Sequence, residues 1–387
     1  MKSTGMRSIM WDSLVQIATK PIYLVGFFFL PLFIFLMLTS LMEAGLPTQI
    51  PAAIVDHDGS SLSRSVSQSL GSTQMVKVVE TPSSFTEARH LVQEGKIFGF
   101  FMIPENFQAD LLAGRAPEIT FYTNMTYFVP ASLLFKTFKS TAVYTKAGVA
   151  VSLLESVGVN EDASPLLQPV NIVSRPIGNP WLNYGIYLSN SFVPCVLQLM
   201  IMLMTCFTLG EEIKFKSSIR LLRQAGGSPY KAVFARLLPQ SLIWFVIALF
   251  MEVWLFKFNH YPMHGSWFWM SLSQILFVLA SQGFALFFFC LLPNLRLSLS
   301  VCALLGILSF SIAAFSFPME SMYPALGIFS WILPIRYNFL IYIDLALNGR
   351  PLHYAGMWYA AYIIFIILPI TMVWRLKKEF AKPVYTP

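Results

Sequence analysis

Charged residues are scarce in this sequence of 387 residues: Asp, Glu, Lys and Arg make up 12% of it, whereas apolar residues make up 56%. This balance leaves too little polar surface to cover a soluble globule of this size, which excludes an ordinary soluble protein. The apolar residues form six runs of about 20 residues, and a helix of that length crosses the roughly 30 Å hydrocarbon layer of a membrane. The predicted spans are 22–42, 186–209, 233–256, 267–292, 297–317 and 355–374.

Cysteine is also scarce, and its placement excludes two kinds of site. Cys195, Cys206, Cys290 and Cys302 all fall within predicted spans, so the long segment between the first two spans has none. That segment cannot depend on disulfides and must fold around its own apolar core. No two cysteines have the spacing of a thiolate metal site, and a buried Cys is ordinarily a small apolar side chain. No metal site is therefore predicted.

The sequence also has no GxxxxGK[ST] loop. Such a loop supplies the backbone amides and the lysine that hold the phosphates of a nucleotide. The chain is therefore not predicted to hydrolyse ATP or to bind a cofactor of its own.

The net charge of +7 is divided unevenly between the two sides of the predicted spans. Fourteen Lys and Arg residues lie at one set of span ends, and only Lys257, Arg336 and Arg350 lie at the other. Because basic residues concentrate on the cytoplasmic side, both termini are predicted to be cytoplasmic, and no nucleic-acid partner is needed to explain the charge. The fourteen are Lys2, Arg7, Lys20, Lys214, Lys216, Arg220, Arg223, Lys231, Arg236, Arg296, Arg375, Lys377, Lys378 and Lys382.

The predicted fold is an α-helical polytopic membrane protein of six transmembrane helices, with cytoplasmic N and C termini and an inserted extracytoplasmic α/β domain. Residues 1–21 are predicted to form an amphipathic helix in the cytoplasmic interface, which Pro21 separates from the first span. The first run is too long for a signal-peptide core, and no clean cleavage site follows it, so it is predicted to be retained. Residues 43–185 form the inserted domain, 186–374 contain spans two to six, and 375–387 form a cytoplasmic tail.

Within 43–185, patterns typical of strands and helices alternate about every 10 to 15 residues, as in α/β domains. Asp56, His57 and Asp58 resemble metal ligands, but they stand between a strand and Gly59, where a turn and a helix cap use such residues. We therefore predict a structural role for them. Strands are predicted at 52–56, 75–80, 98–104 and 118–124, helices at 60–70, 83–94, 107–112 and 129–157, and an extended stretch at 168–175.

The loop between the second and third spans is the largest basic loop. Phe215, Ile219 and Leu222 share one helical stripe in it, with Arg220 and Arg223 beside them. This pattern predicts a short amphipathic helix along the cytoplasmic face, which a soluble partner could bind; a helix that merely lies on lipid is the alternative. The predicted element occupies 210–232 and includes a turn at 225–229.

Acidic residues are few near the predicted spans. Glu211 and Glu212 stand at the inner end of the second span beside Lys214 and Lys216, where solvated ion pairs are the default interpretation and a coupling role is the alternative.

Glu252 is the one charged residue near the middle or inner half of a span, so it is expected to face protein or water. It either lines a conduit or forms an interfacial ion pair with Lys257.

The segment between the fifth and sixth spans is as apolar as a span, but Pro318, Pro324 and Pro334 interrupt it. A continuous helix is excluded, and two short helices that enter the outer leaflet and return are predicted. Arg336 and Asp344 are predicted to form a buried pair that fixes these helices at an outer gate. The predicted re-entrant segment covers 318–345.

Five sequence features, in their order along the chain, resemble those of the permeases of type 2 ABC exporters, in the subgroup with a large extracytoplasmic domain after the first span. One departure is that Glu211 and Glu212 lead into KFKSSIRLLRQ, whereas the family commonly has an acidic residue, a Gly-Thr step and then Leu-Leu. The features are the helix before the first span and the segments IPAAIVDHDGSSLS, GKIFGFFMIPENFQADLLAG, LLRQAGGSPYKAVFARLLP and LGIFSWILPIRYNFLIYIDLALNG.

The resemblance implies that the cytoplasmic helix is the coupling element and that the proline-broken segment closes the exit. It also implies that ATP and Mg²⁺ bind to a separate ABC ATPase subunit, and that a second permease copy or a paralogue completes twelve spans. A periplasmic adaptor and an outer-membrane channel are left open as further partners. The implied coupling residues are Glu211, Glu212, Phe215, Ile219, Arg220, Leu222 and Arg223.

The leading prediction of function is export of an unidentified substrate from the cytoplasm or the inner (plasma) membrane. The alternative is a membrane sensor with an extracytoplasmic ligand-binding domain, which six spans do not favour. An ion-coupled transporter would need several ionisable groups near the midplane, and only Glu252 meets that requirement.

The charge asymmetry predicts the topology. Cysteines introduced at Ser67 and Ser321 should react with a membrane-impermeant thiol reagent added to intact cells, and a cysteine at Ser217 should react only after the cells are opened. Labelling of the Ser217 variant in intact cells would overturn the orientation.

Overall fold

The computed structural model describes residues 5–41, 43, 45–113, 115, 117–156, 179, 183–315, 317 and 319–384. By its internal contacts the chain divides into two compact units. One unit is Met1–Gly45 together with Pro176–Pro387, and the other is Leu46–Arg175.

Among the described residues, six helices are long and apolar enough to cross a membrane, which confirms the six predicted spans. Their ends differ from the predicted ends by a few residues, most at the sixth, which continues through two short 3₁₀ turns. The spans, numbered in chain order, are Pro21–Leu41, Tyr184–Lys214, Pro229–Phe258, Trp267–Leu291, Leu295–Ile312 and Leu352–Ala381.

Span 2 is the central helix of the first unit. It has 31 residues and packs against spans 1, 4 and 5 and against the second of the two helices that precede span 6. Small residues allow close approach: a Cβ added at Gly306 of span 5 would lie 2.4 Å from Leu199 of span 2. Close packing of this kind replaces the hydrophobic effect as the force between helices in lipid.

The amino-terminal helix, Met6–Thr19, packs Ile9, Ser13 and Ile17 against the bundle and leaves Trp11 exposed; its amphipathic, interfacial character stays a prediction. Lys20 has an extended backbone (φ −89°, ψ 123°), and Pro21 begins span 1, which confirms the predicted break. The Ser13 hydroxyl donates to the Arg236 carbonyl at 2.9 Å, which joins this helix to span 3.

The loop between spans 2 and 3 contains one short helix, Ser218–Gln224, which we call the linker helix. The predicted turn follows it: Gly226 and Gly227 both have positive φ, 67° and 79°, a conformation that favours glycine. The Ser218 hydroxyl donates to the Phe380 carbonyl at 3.2 Å. The linker helix therefore lies at the same end of the bundle as the last turn of span 6.

The region between spans 5 and 6 forms two helices, Pro324–Ser330 and Pro334–Leu347, which meet at 79°. We call them the first and second re-entrant helices. A proline begins each one, where its missing N–H breaks no helical hydrogen bond. The predicted pair of short helices is thus present, and a 3₁₀ turn, Met319–Ser321, precedes it. Pro318 lies outside the described residues.

The unit Leu46–Arg175 contains a four-stranded sheet in the order β2-β1-β3-β4. β1 pairs in parallel with β2 and β3, and β4 runs antiparallel to β3 at the edge. Each strand overlaps a predicted strand, so the four strand predictions are confirmed. The strands are Ile50–Asp56, Val76–Glu80, Gly99–Ile103 and Thr120–Thr123.

Both faces of this sheet are covered. Phe101 and Phe107 lie in a buried cluster on one face, together with Phe138 of Phe128–Ser156, the longest helix of this unit. Val55 and Ala88 lie in a smaller cluster on the other face. The four helices confirm the predicted ones; the predicted stretch 168–175 lies outside the described residues. They are Ser61–Gly71, Phe85–Gln93, Phe107–Leu112 and Phe128–Ser156.

The acidic turn after β1 is structural, as predicted. Asp56 Oδ1 accepts from the backbone N–H groups of Asp58 and Gly59, both at 3.0 Å, and its Oδ2 accepts from the Ser63 hydroxyl at 2.7 Å. Asp58 Oδ2 accepts from the N–H of Gln108 at 3.2 Å. These carboxylates fix the turn and the start of two helices.

Because this unit has two buried clusters and no cysteine, residues 45–180 expressed alone should form a soluble domain that unfolds cooperatively in denaturant, with no effect of reductant. Phe101→Ala should lower its free energy of unfolding by about 3 to 5 kcal/mol, since Phe101 is fully buried. Val79→Ala, at a position 40% exposed, should change it little. A disordered circular dichroism spectrum of the unsubstituted fragment would contradict autonomy.

Candidate functional site

The end of span 2 carries two adjacent carboxylates that are both buried. Glu211 is 7% exposed, and its side chain points toward span 1 and the amino-terminal helix. It pairs with the Lys20 ammonium and accepts from the Tyr23 hydroxyl at 2.7 Å and the Gln16 amide at 3.2 Å. One carboxylate therefore joins three helices.

Glu212 points the other way, toward span 3. Its carboxylate lies 2.7 Å from Nη2 of Arg236, and the Ser217 hydroxyl donates to it from the turn before the linker helix. The Arg236 side chain is only 4% exposed, so this is a buried ion pair. Arg236 Nε has no partner among the described residues, so the pair is not fully satisfied.

These contacts correct the prediction of solvated ion pairs at Glu211 and Glu212. Burial makes the pairs costly to break, because removing one partner leaves an isolated charge in a poorly solvated place. Together the two carboxylates connect the end of span 2 to span 1, span 3 and the amino-terminal helix. A displacement of the linker helix would therefore be passed to three other elements.

The linker helix differs from its prediction in two respects. The element is shorter than 210–232, because residues to Lys214 continue span 2 and residues from Pro229 belong to span 3. Phe215 lies in the turn before the helix, and Leu222 is buried at 9% exposure, so the three apolar residues do not form one exposed stripe. Phe215 and Ile219 remain on the surface, at 65% and 40% exposure.

Basic side chains stand beside these two exposed apolar residues. Arg223 is exposed, and Arg220, whose side chain is 61% exposed, pairs with Asp12 of the amino-terminal helix at 2.8 Å. A cleft of about 440 Å³ separates the linker helix from the amino-terminal helix. Phe215, Arg220, Glu211 and Glu212 all line it, so the exposed residues and the buried ion pairs belong to one site.

The predicted pair between Arg336 and Asp344 is not formed. Asp344 instead accepts from Arg350 Nη1 at 3.1 Å and from the Trp358 indole at 3.0 Å. The Arg336 guanidinium stacks on the Trp331 ring, 4.2 Å from its centroid. Arg336 and Asp344 are eight residues, or about two helical turns, apart in sequence, and each has a nearer aromatic or ionic partner.

Glu252 is buried in the bundle at 4% exposure, and neither of its carboxylate oxygens contacts Lys257, so the predicted ion pair is not formed. One carboxylate oxygen accepts from the Ser271 hydroxyl at 3.3 Å, and the other has no partner in the part of the chain described. It lines a void of about 20 Å³ with Asn190, Gln274 and Asn338. A conduit role for Glu252 stays a prediction.

Sequence reasoning missed most partners in these sites. The sequence indicates Lys20 and Arg236 only as basic residues that set the orientation, and Tyr23 and Trp358 only as members of apolar spans. No local pattern joins Glu211 to residues about 190 positions earlier. The one available signal was charge itself, because a carboxylate pair next to an apolar run needs buried partners.

No arrangement for covalent chemistry accompanies these contacts. Within the described ranges, no group of three or more His, Cys, Asp or Glu side chains is placed to hold a metal ion. What the arrangement at the end of span 2 shows is two exposed apolar side chains beside ion pairs that connect span 2 to neighbouring helices.

The buried pair can be tested by substitution. Arg236→Met should lower the free energy of unfolding by about 3 to 5 kcal/mol, because Glu212 is left buried and unpaired. Arg236→Met combined with Glu212→Leu should be less destabilised than Arg236→Met alone, which a thermal-unfolding cycle in detergent measures. Arg223→Met, at an exposed position, is the control and should change little. Equal losses in the single and double variants would contradict an energetic coupling.

Comparison with known proteins bears on this arrangement. No curated protein is significantly similar to the chain. A family model described as ABC-2 family transporter protein matches residues 21–375, which is most of the sequence. This match confirms the resemblance to ABC-2 type permeases and does not support the sensor alternative. The chain therefore belongs to the ABC-2 family of transporter proteins.

Proposed function

We propose that this multi-pass membrane protein is the permease subunit of an ATP-driven exporter of the inner (plasma) membrane. Membership of the ABC-2 family implies an ABC ATPase as partner, and ATP and Mg²⁺ would bind there, since this sequence has no phosphate-binding loop. Two permeases, identical or paralogous, would complete the transporter. An adaptor and an outer-membrane channel are compatible with a large domain after span 1.

The observation that carries the proposal is the surface of Phe215 and Ile219 at the end of span 2. An exposed aromatic residue on a basic loop is typical of a protein-binding surface, in which the apolar residue enters a pocket and the charges meet an acidic rim. Arg220 and Arg223 supply such charges. The buried pairs of Glu211 and Glu212 would then pass a movement of the ATPase to span 1 and span 3.

The proposed orientation rests on charge and on packing. The amino-terminal helix, the linker helix and the last turn of span 6 pack on one another, through Asp12 with Arg220 and Ser218 with Phe380. These elements carry five of the fourteen basic residues, Arg7, Arg220, Arg223, Lys377 and Lys378, and most of the others flank them in sequence, which favours the cytoplasmic side. An ATPase partner would have to bind on that side, because ATP is present in the cytoplasm. By the same reasoning the domain after span 1 would lie outside the cytoplasm.

At the other end, we propose that the re-entrant helices form the outer gate. Pro324 and Pro334 begin the two helices, and Asp344 is joined to span 6 through Trp358. Arg336 is held separately on Trp331. Two independent contacts, rather than one ion pair, would therefore set the position of the gate.

The coupling surface can be tested with Phe215→Asp and Ile219→Asp combined. Both residues are exposed, so the variant should fold and reach the membrane, whereas Leu222→Asp would disturb the core. We expect co-purification of the ABC ATPase to fall by about thirtyfold or more, since a central anchor commonly contributes 2 kcal/mol or more. Val384→Asp, at a residue 73% exposed, is the control.

A second measurement identifies what Phe215 contacts. A photoreactive phenylalanine analogue at position 215 should form a covalent product with the ABC ATPase in cells, identified by mass spectrometry. The same analogue at position 384 should not. Products with lipid only, together with normal ATPase retention in the double variant, would show that the surface lies on the membrane.

A further inference from the structure

Arg336 is the one charged side chain of the re-entrant helices that is buried without an ionic partner in the described part of the chain. It is 7% exposed, and its Nε has no hydrogen-bond partner there. Its contact is the stacking on Trp331. Burying an unpaired cation is unfavourable. A negatively charged partner from outside the described chain would remove this cost.

The guanidinium is held in a fixed orientation by a stack of aromatic rings. Arg336 lies over the Trp331 ring, and the indole rings of Trp331 and Trp358 are stacked, with centroids 6.0 Å apart and planes at 28°. The Tyr337 hydroxyl donates to the Trp331 carbonyl at 2.7 Å, and Asp344 fixes the Trp358 indole N–H. One face of the guanidinium is thus covered by Trp331, and Nε has no hydrogen-bond partner among the described residues.

The position of Arg336 in its helix adds to the positive potential. It is the third residue of the second re-entrant helix, which begins at Pro334, and the residue before the helix, Leu333, provides no side-chain cap. The first N–H groups of a helix carry a partial positive charge. Here Pro334 has no N–H and the Arg336 N–H donates to the Leu333 carbonyl at 3.2 Å, so of these three residues Ile335 is the one whose N–H can add to the site. Glu320, in the 3₁₀ turn before the first re-entrant helix, is exposed and forms no ion pair with Arg336.

From this geometry we propose that Arg336 and the start of the second re-entrant helix bind an oxyanion, a phosphate or carboxylate group, of an amphiphilic molecule. A guanidinium presents its N–H donors as a planar fork that matches these groups, and stacking on an aromatic ring leaves the fork free. Trp331 and Trp358 are of the type that lies at the level of lipid headgroups. The proposal does not depend on the coupling surface at the other end of the bundle.

The test uses the full-length protein in phosphatidylcholine nanodiscs, with three probes: decyl phosphate, uncharged decanol and inorganic phosphate. Decyl phosphate should raise the unfolding temperature and protect 324–347 from hydrogen exchange, and decanol should not. Arg336→Gln should weaken the apparent affinity for decyl phosphate about tenfold or more. Arg336→Lys, which keeps the charge but loses the fork, should also weaken it. Lys257→Gln, an exposed basic control, should not.

The three probes distinguish a ligand from the membrane from a soluble ligand. A response to decyl phosphate alone supports an amphiphile from the membrane, and an equal, Arg336-dependent response to inorganic phosphate supports a soluble oxyanion at the same site. Three results would overturn the proposal: no response to either phosphate, an equal response to decanol, or an unchanged response in Arg336→Gln. The comparison of decyl phosphate with decanol is made on the unsubstituted protein, so it does not depend on the folding of a variant.

Discussion

The structure depends on how it accommodates charge at the end of an apolar helix bundle. Glu211 and Glu212 would be strongly unfavourable in such a place if they were left alone, because a poorly solvated carboxylate needs compensating charge and hydrogen bonds. The chain compensates them with Lys20 on one side and Arg236 on the other. Satisfying two neighbouring charges from opposite directions forces span 1, span 3 and the amino-terminal helix to meet at the end of span 2.

Glu252 and Arg336 are also buried, but neither has an opposite charge beside it. Glu252 has one hydrogen bond and a void of the size of a water molecule beside it. Arg336 has an aromatic platform and no acceptor among the described residues. At Glu211 and Glu212 each charge has an opposite charge beside it, although Arg236 Nε is left without a partner among the described residues, and this fits a structural connection. A buried group with no opposite charge is what a site needs if a molecule from outside is to complete it.

Much of the fold was predictable because local signals determine it. Span positions follow from hydrophobic length, the break at Pro21 and the two re-entrant helices follow from proline, and the α/β unit follows from alternating patterns. The failures share one cause. The partners of Glu211, Glu212 and Asp344 are chosen by three-dimensional proximity, and the burial of Leu222 depends on which face of the linker helix meets the bundle. Neither is encoded in residue spacing, so sequence located the candidate site but misjudged its contacts.

The length of span 2 has a mechanical consequence. Its 31 residues extend over about 46 Å, whereas the hydrocarbon layer is roughly 30 Å thick. Even with some tilt, two or more helical turns project beyond the lipid tails. Under the proposed coupling role, the turns at its carboxyl end would extend the span beyond the lipid, anchored by the ion pairs of Glu211 and Glu212. A force applied at Phe215, which follows the last residue of span 2, would then reach the spans through these contacts.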